Sequence, residues 1–215
     1  MAAFIDIVLL TMRVSGIALC LATLLGVPFG AWLGLSHFRG RRIIIGWVYT
    51  GMGLPPVVVG LAVYMALSRS GSLGSLGWLF TPAAMITAQT IIAFPLIAGI
   101  SMAAVDGLDP SIRLQLRSLG TSRRQELIGM LLEARTGVFA GIVAGFGGII
   151  SEVGAAMLVG GNIDGKTRIL STAIVLETRR GHFGFGLALG GVLLSLAFIV
   201  NFALMRLEAG RRWHL

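Results

Sequence analysis

Long apolar blocks alternate with short polar connections along the whole chain, and five of the blocks have the length of membrane-crossing helices. They run roughly from Leu10 to Leu35, Ile43 to Leu67, Ala83 to Ala104, Gly137 to Gly160 and Phe183 to Leu204, and the stretch before Leu10, containing Asp6, can continue the first helix at or above the lipid surface. At a rise of about 1.5 Å per residue, each block can cross a hydrocarbon layer of about 30 Å. The first block is too long for a signal-peptide core and no basic segment precedes it, so it is read as part of the mature protein. An odd number of crossings puts the two termini on opposite sides.

The connections differ in kind. Residues 68–82 are Gly/Ser-rich, with Trp78 and Phe80 near the next block as an interfacial aromatic anchor. Residues 105–136 form a larger insertion. Asp109 can cap a helix with Pro110 at its first position, apolar Ile112, Leu114, Leu116 and Leu119 are interleaved with Arg113, Gln115, Arg117 and Ser118, and a second amphipathic helix is expected after Gly120. Such a pair suits either an interfacial anchor or a docking site for a cytoplasmic partner. The segment 168–181 predicts a short helix that dips into or rests on the other surface.

Charge orients the bundle. Arg39, Arg41 and Arg42, then Arg113, Arg117, Arg123, Arg124 and Arg135, then Arg206, Arg211 and Arg212 fall on one side. Arg13, Arg69, Lys166, Arg168, Arg179 and Arg180 fall on the other. The heavier side is expected in the cytoplasm, with the N-terminus outside and the C-terminus inside.

Composition agrees with the pattern: 56% of the 215 residues are hydrophobic and 12% charged, with mean hydropathy +0.91, against about 25% charged in a soluble domain. The formal charge of +8 does not point to nucleic acid, because the basic residues sit between apolar blocks with little aromatic interleaving. Cys20 is the single cysteine and lies in an apolar block, which excludes a disulfide scaffold. His37, His182 and His214 are scattered, and no His/Cys/carboxylate cluster has the spacing of a metal or nucleophile site. An enzyme is therefore not expected, and no cofactor or metal is assigned to this chain.

Within the blocks, Gly137, Gly141 and Gly145, and again Gly186 and Gly190, have the small-xxx-small spacing of close helix packing. Pro28 and Pro95 fall inside the first and third blocks, and Pro55 with Pro56 interrupts the start of the second. Each removes a backbone donor and so predicts a kink or local opening. Glu152 is expected inside an otherwise apolar helix, where an unpaired charge costs several kcal/mol. It should face protein or a cavity, with a partner on another helix or hydrogen bonding of the Ser151 type. If the cargo is an anion, repulsion makes Glu152 a poor ligand and leaves it a gating or anchoring role.

Gly160 to Thr167 matches the phosphate-loop pattern G-x-x-x-x-G-K-[ST] literally. A phosphate loop needs a preceding strand and a following helix aimed at the phosphates, whereas this segment follows an apolar helix. It is read as an outer turn.

The insertion, with its stretch LQLRSLGTSRRQELIGMLLEAR and Gly120 between two helices, resembles the coupling loop of bacterial ABC-importer permeases. GMGLPPVVVGLAVYMALSRSG at residues 51–71 and ISEVGAAMLVGGNIDGKTRILSTAIVLETRRG at residues 150–181 are similar to the tungstate-type permeases, relatives of the molybdate and sulfate permeases. The resemblance implies an all-α polytopic bundle of about five transmembrane helices with the MetI-like permease fold, one permease domain over 1–215 containing the coupling loop at 105–136, in the bacterial plasma (inner) membrane. It implies a homodimer surrounded by lipid around one oxyanion path, two cytoplasmic ATP-binding subunits that use ATP and Mg, and an extracytoplasmic solute-binding protein. On that resemblance Arg113, Arg117, Leu119, Gly120, Arg123 and Arg124 are expected at the ATPase contact. Pro55, Pro56, Ser151, Glu152 and Gly154 are expected along the pathway or gate. Lys166, Arg168, Arg179 and Arg180 are expected to meet the anion or the binding protein on the outer face. An ATP-independent secondary anion transporter is the competing class, although such folds commonly show internal repeats.

Overall fold

The structure, a computed structural model, describes residues 2–210, with side chains for residues 4–206. Arg211, Arg212 and His214 lie outside the described residues. Every regular element described is helical. Three unbroken helices are long and apolar enough to cross a membrane: α1 (Ala2–Leu35), α4 (Pro82–Asp106) and α10 (Phe183–Gly210). The expected continuation of the first helix upstream of Leu10 is present, and Pro28 and Pro95 sit inside unbroken helices.

The second and fourth blocks are not single helices, which corrects the continuous spans expected from their hydropathy. The second divides into α2 (Arg41–Met52) and α3 (Pro56–Leu67), which meet at 100°. Pro55 and Pro56 therefore break the span near its middle rather than at its start: Pro56 is the first residue of α3, where a missing N–H costs nothing. The fourth divides into α7 (Arg135–Ile150) and α8 (Gly154–Gly160), with Ser151, Glu152 and Val153 between them. Taking each bent span as one crossing gives five.

α4 is the packing axis. Gly26, Gly30 and Gly34 of α1 face Ile97, Ala98 and Met102 in the same order, so the two helices run parallel. A Cβ on Gly30 would collide with the Ala98 carbonyl, so only a glycine permits this backbone approach. On the other flank Gly137, Gly141 and Gly145 of α7 meet Ala104, Ile100 and Ile97 in reverse order, so α7 runs antiparallel. The glycine triplet of α7 thus packs inside the chain, and that of α1, with identical spacing, does the same from the opposite side. Of the pair in α10, Gly186 lies close to Thr178, whereas Gly190 faces open space.

At one end of the bundle Arg41 closes the connection between α1 and α2. Its Nε donates to the Leu33 carbonyl at 2.9 Å, and its Nη2 donates to the Gly34 carbonyl at 3.3 Å and to Asp106 Oδ1 at 2.8 Å. Carbonyls that α1 leaves unpaired at its C-terminus are satisfied, and the end of α4 is tied to them.

Two amphipathic helices, α5 (Pro110–Ser118) and α6 (Arg123–Glu133), occupy the insertion at this same end, and α6 meets α7 at 73°. At the other end α9 (Leu170–Arg179) follows the 161–169 turn. Its first turn is buried, with Leu170 N–H donating to Thr11 Oγ1 at 2.9 Å, and its C-terminal arginines are exposed. The helix expected over this segment is present, anchored in the bundle at its first turn and exposed at its last.

Candidate functional site

The α5–α6 hairpin is specified locally at each joint. Asp109 caps α5 by accepting the Ser111 N–H at 2.8 Å, with Pro110 at the first helical position. This hydrogen bond holds the Asp109 carboxyl below the usual carboxylate range. Gly120 then takes φ +74, the left-handed conformation that ends a helix with little cost only for glycine. Ser122 and Gln125 form a reciprocal capping box on α6.

Glu126 fastens the hairpin. It is buried, and it accepts hydrogen bonds from Arg113 Nε and, at 3.1 and 3.2 Å, from Arg117 Nε and Nη2. Burial opposes its ionisation, but the hydrogen bonds from Arg117 and Arg113 and their charges outweigh burial and hold its carboxyl below the ordinary range. Below it, Ile112 and Leu116 pack on Met130, Ala134 and Val138, joining the hairpin to the foot of α7. Arg113 and Arg117 are thus committed to the hairpin's own cohesion. Leu119, 79% exposed, Leu114, 66% exposed, and Arg123 and Arg124 are left on its surface.

Between the hairpin and the end of α1 lies a cleft of about 990 Å³, lined by Trp32, His37, Phe38, Arg113, Arg117, Arg123, Arg124 and Leu127 among others. Trp32 and Phe38 stack at 5.4 Å.

The two broken spans meet each other. A Cβ on Gly154, the first residue of α8, would stand 2.6 Å from Val57 in the first turn of α3, and one on Gly60 would stand 2.6 Å from the Ala155 Cα. Glu152 is not within a helix, which corrects the expectation. It lies in the break, half-buried, where Oε1 accepts the Ala155 N–H at 2.8 Å and its own carbonyl accepts Ser171 Oγ at 2.9 Å. Ser151 Oγ donates back to the Gly147 carbonyl at 2.8 Å. From α4, the fully buried Gln89 donates its Nε2 to the Ile149 carbonyl at 3.3 Å, beside the Glu152 N–H that the same carbonyl accepts across the break at 3.3 Å. Pro55, Pro56 and Gly148 line an apolar cavity of about 650 Å³ beside this junction. Pro55, Pro56, Ser151, Glu152 and Gly154 are therefore gathered around one discontinuity.

The cations expected on the outer face divide into two places. Lys166 and Arg168 share a cleft of about 560 Å³ with Asp6, Arg13 and Asp164, and Arg168 pairs with Asp164 at 2.8 Å. Arg179 and Arg180 close α9, where Arg180 and His182 both bind Glu177, at 3.0 and 2.8 Å. The His182 hydrogen bond is the leading cause that holds Glu177 below the ordinary carboxylate range; burial opposes it and Arg180 reinforces it. The phosphate-loop look-alike is a turn. Thr167 is fully buried and donates to the Gly160 carbonyl at 2.6 Å while accepting the Ile163 N–H, so its hydroxyl is spent inside the loop.

Sequence reading missed Glu126, Gln89 and Arg41. Arg113 and Arg117 are one helical turn apart, which marks a shared partner, but the next helix carries both Glu126 and Glu133 and spacing alone does not choose between them. Among the described residues no group of three or more His, Cys, Asp or Glu could hold a metal ion.

Residues 26–213 match the family model described as "Binding-protein-dependent transport system inner membrane component". A relative from Haloferax volcanii, named as a probable anion ABC transporter permease protein, is 40% identical over 202 residues, covering 92% of this chain and 87% of that protein. The tungstate uptake system permease protein TupB of Peptoclostridium acidaminophilum is 37% identical, covering 94% and 89%. The molybdenum transport system permease protein ModB of Escherichia coli is 29% identical, covering 82% of each. The fold is similar to that of an ABC transporter involved in import of the acidic polysaccharide alginate, with TM-score 0.78 at 19% identity over 100% of this chain and 81% of that one. An inward-facing methionine ABC transporter, MetNI, superposes with TM-score 0.72 at 18% identity, over 99% and 94%. The helical hairpin, the paired broken spans and the family match together lead to one conclusion: the chain belongs to the binding-protein-dependent transport system inner membrane components, the permease subunits of ABC importers.

Proposed function

We propose that this permease carries an oxyanion into the cell, with tungstate as the leading cargo and molybdate or sulfate as alternatives. The observation that carries the reading is the 37–40% identity, over more than nine-tenths of the chain, to permeases named for anions and for tungstate. Tetrahedral dianions differ little in charge and shape, so discrimination is expected to rest largely with the solute-binding protein that delivers them.

In this reading two copies of the chain, embedded in lipid, enclose one path, with the N-terminus outside and the 105–136 loop in the cytoplasm of a bacterial cell. Two ATP-binding subunits dock on the surface formed by Leu119, Gly120, Arg123 and Arg124, while Arg113 and Arg117 hold that surface in shape through Glu126. ATP and Mg act in those subunits. Their closure pushes the hairpin as a unit, because a charge-assisted, buried cluster resists internal shear. α6 leads directly into α7, so the push reaches the 151–153 break. There Glu152 and Ser151 let α8 turn against α7 without losing backbone hydrogen bonds, opening or closing the path beside Pro55, Pro56 and Gly154. Lys166 and Arg179, exposed and outside the ion pairs described, favour the arriving anion or an acidic patch of its binding protein.

The test is uptake in proteoliposomes holding the permease, its ATPase subunits and its binding protein, with tungsten, molybdenum and sulfur counted by elemental mass spectrometry. ATP-dependent tungsten accumulation that molybdate and sulfate compete with weakly is expected. Accumulation without ATP or ATPase subunits would replace the proposal with secondary anion transport.

A further inference from the structure

We infer that Ser171 is a positioning residue that latches the 151–153 break: its hydroxyl ties the break to α1 through the start of α9, and α8 turns against α7 only when that bond releases. Ser171 is 2% exposed, and its Oγ donates at 2.9 Å to the carbonyl of Glu152, nineteen residues earlier in the chain. Hydroxyls in the first turn of a helix ordinarily serve their own backbone. On α9 that task falls to Thr172, whose Oγ1 accepts the Ile169 N–H at 3.1 Å, so the Ser171 hydroxyl reaches across to another segment instead.

The start of α9 is a fixed post for such a latch. Ile169, Leu170, Thr172 and Ala173 are all buried. The Leu170 N–H donates to Thr11 Oγ1, which is itself fully buried and donates to the Ile7 carbonyl at 2.7 Å, while Leu170 and Ala173 pack with Leu189 of α10. Both α1 and α10 therefore hold this turn, and Ser171 extends their hold to the break.

α8 is the element restrained. It lies against α3 at Val57 and Gly60, so a turn of α8 moves the junction of the two broken spans. Its far end is tied to the loop before α4, where the Phe80 N–H donates to the Val159 carbonyl at 2.9 Å. The end beside α7 is the one that must move. There the bonds from the Glu152 N–H to the Ile149 carbonyl and from the Ala155 N–H to Glu152 Oε1 each join residues three apart, and such local bonds can persist through a change of angle. The Ser171 bond cannot, because its two ends belong to different parts of the bundle.

The inference rests on the proposed function in taking this turn as the movement that opens the path. The experiment is hydrogen exchange of the intact transporter, permease with ATPase subunits, in lipid nanodiscs without nucleotide, cargo or binding protein. In Ser171→Ala the amides of 155–161 are expected to exchange about two- to tenfold faster, the factor that one net hydrogen bond contributes to an opening equilibrium, while those of 174–179 keep their rate. Ser171→Cys, with a weak donor of similar size, should fall between. Thr172→Val deletes the neighbouring buried hydroxyl and should reverse the order, loosening α9 more than α8. In proteoliposomes with the binding protein, Ser171→Ala should also raise the ATP hydrolysed per anion taken up by about two- to tenfold, whereas lowered stability alone reduces hydrolysis and uptake together. Unchanged exchange over 155–161 in Ser171→Ala, equal acceleration there in Ser171→Ala and Thr172→Val, or an unaltered ratio of hydrolysis to uptake would overturn the inference. Because the exchange measurement needs no cargo, absence of oxyanion uptake by the unaltered transporter would fall on the proposed function, and the latch would still stand or fall by exchange.

Discussion

Gln89, buried on the central helix, donates its side-chain amide to the carbonyl of Ile149, 3.3 Å away at the end of α7. The central helix thus adds a second donor to a carbonyl that already accepts the Glu152 N–H at 3.3 Å, and so ties itself to the break. Replacing Gln89 by Leu removes this cross-helix hydrogen bond but leaves the carbonyl with the Glu152 N–H, at a cost of about 0.5–1.5 kcal/mol. A lowered melting temperature of the purified permease, with uptake impaired more than expression, is the expected result, and an unchanged melting curve would refute it.

Glu126→Gln removes the charge that holds Arg113 and Arg117 without removing the side chain's volume. The hairpin should loosen by about 1–3 kcal/mol, measurable as faster hydrogen exchange over 110–133 and as ATP hydrolysis less coupled to uptake. The pH dependence has a definite sign. Because the folded-state carboxyl is held below its ordinary value, its contribution is present in full above the normal carboxylate range and is lost as pH falls through the depressed value. The substituted hairpin should lack this acid-side loss.

At Gly120 nothing lies within 4 Å of where a Cβ would stand, so any penalty for Gly120→Ala comes from the backbone at φ +74 alone. That penalty is about 1–2 kcal/mol. Asn should be milder than Ala, and Val worse. Co-purification of the ATPase subunits with the three variants gives the ranking, and a ranking by side-chain size alone would contradict the backbone explanation.

Gly30→Val places a side chain against the Ala98 carbonyl and should abolish the α1–α4 packing, a loss above about 3 kcal/mol that prevents stable expression. Gly46→Ala, at a position with open space around it, serves as the comparison and should express normally. Equal expression of the two would show that the glycine spacing in α1 is not what sets the helix approach.

Neutralising Lys166 and Arg179 by glutamine should slow uptake at low ionic strength and much less at high, since exposed charges act over about one Debye length. A salt response identical to the unaltered transporter's would remove both residues from the capture of anion or binding protein.

Hydropathy located the apolar blocks but not their continuity. Ile43 to Leu67 and Gly137 to Gly160 are as apolar on either side of their breaks as across them, and hydropathy carries no record of direction. Pro55–Pro56 announced the first break, although its place within the span was misjudged. Nothing so explicit marks the second, where Ser151, Glu152 and Gly154 each have helical precedents and the interruption combines the local Glu152–Ala155 hydrogen bond with tertiary partners, Ser171 and Gln89. The hairpin was legible in detail because its signals are local: Asp109-Pro110 starts one helix, Gly120 ends it, and Ser122 with Gln125 starts the next. Which of its arginines face outward was not legible, since that depends on the buried carboxylate of Glu126.

The parallel alignment of α1 with α4 also constrains biosynthesis. Neighbours that run in the same direction cannot be joined by a short turn, so α1 must wait in the bilayer until α2 and α3 have been inserted and the chain has returned to its starting side. Until α4 arrives, the small-residue face at Gly26, Gly30 and Gly34 has no matching backbone to pack against. A chain cut short before Pro82 therefore lacks the one helix that this glycine face is shaped to meet.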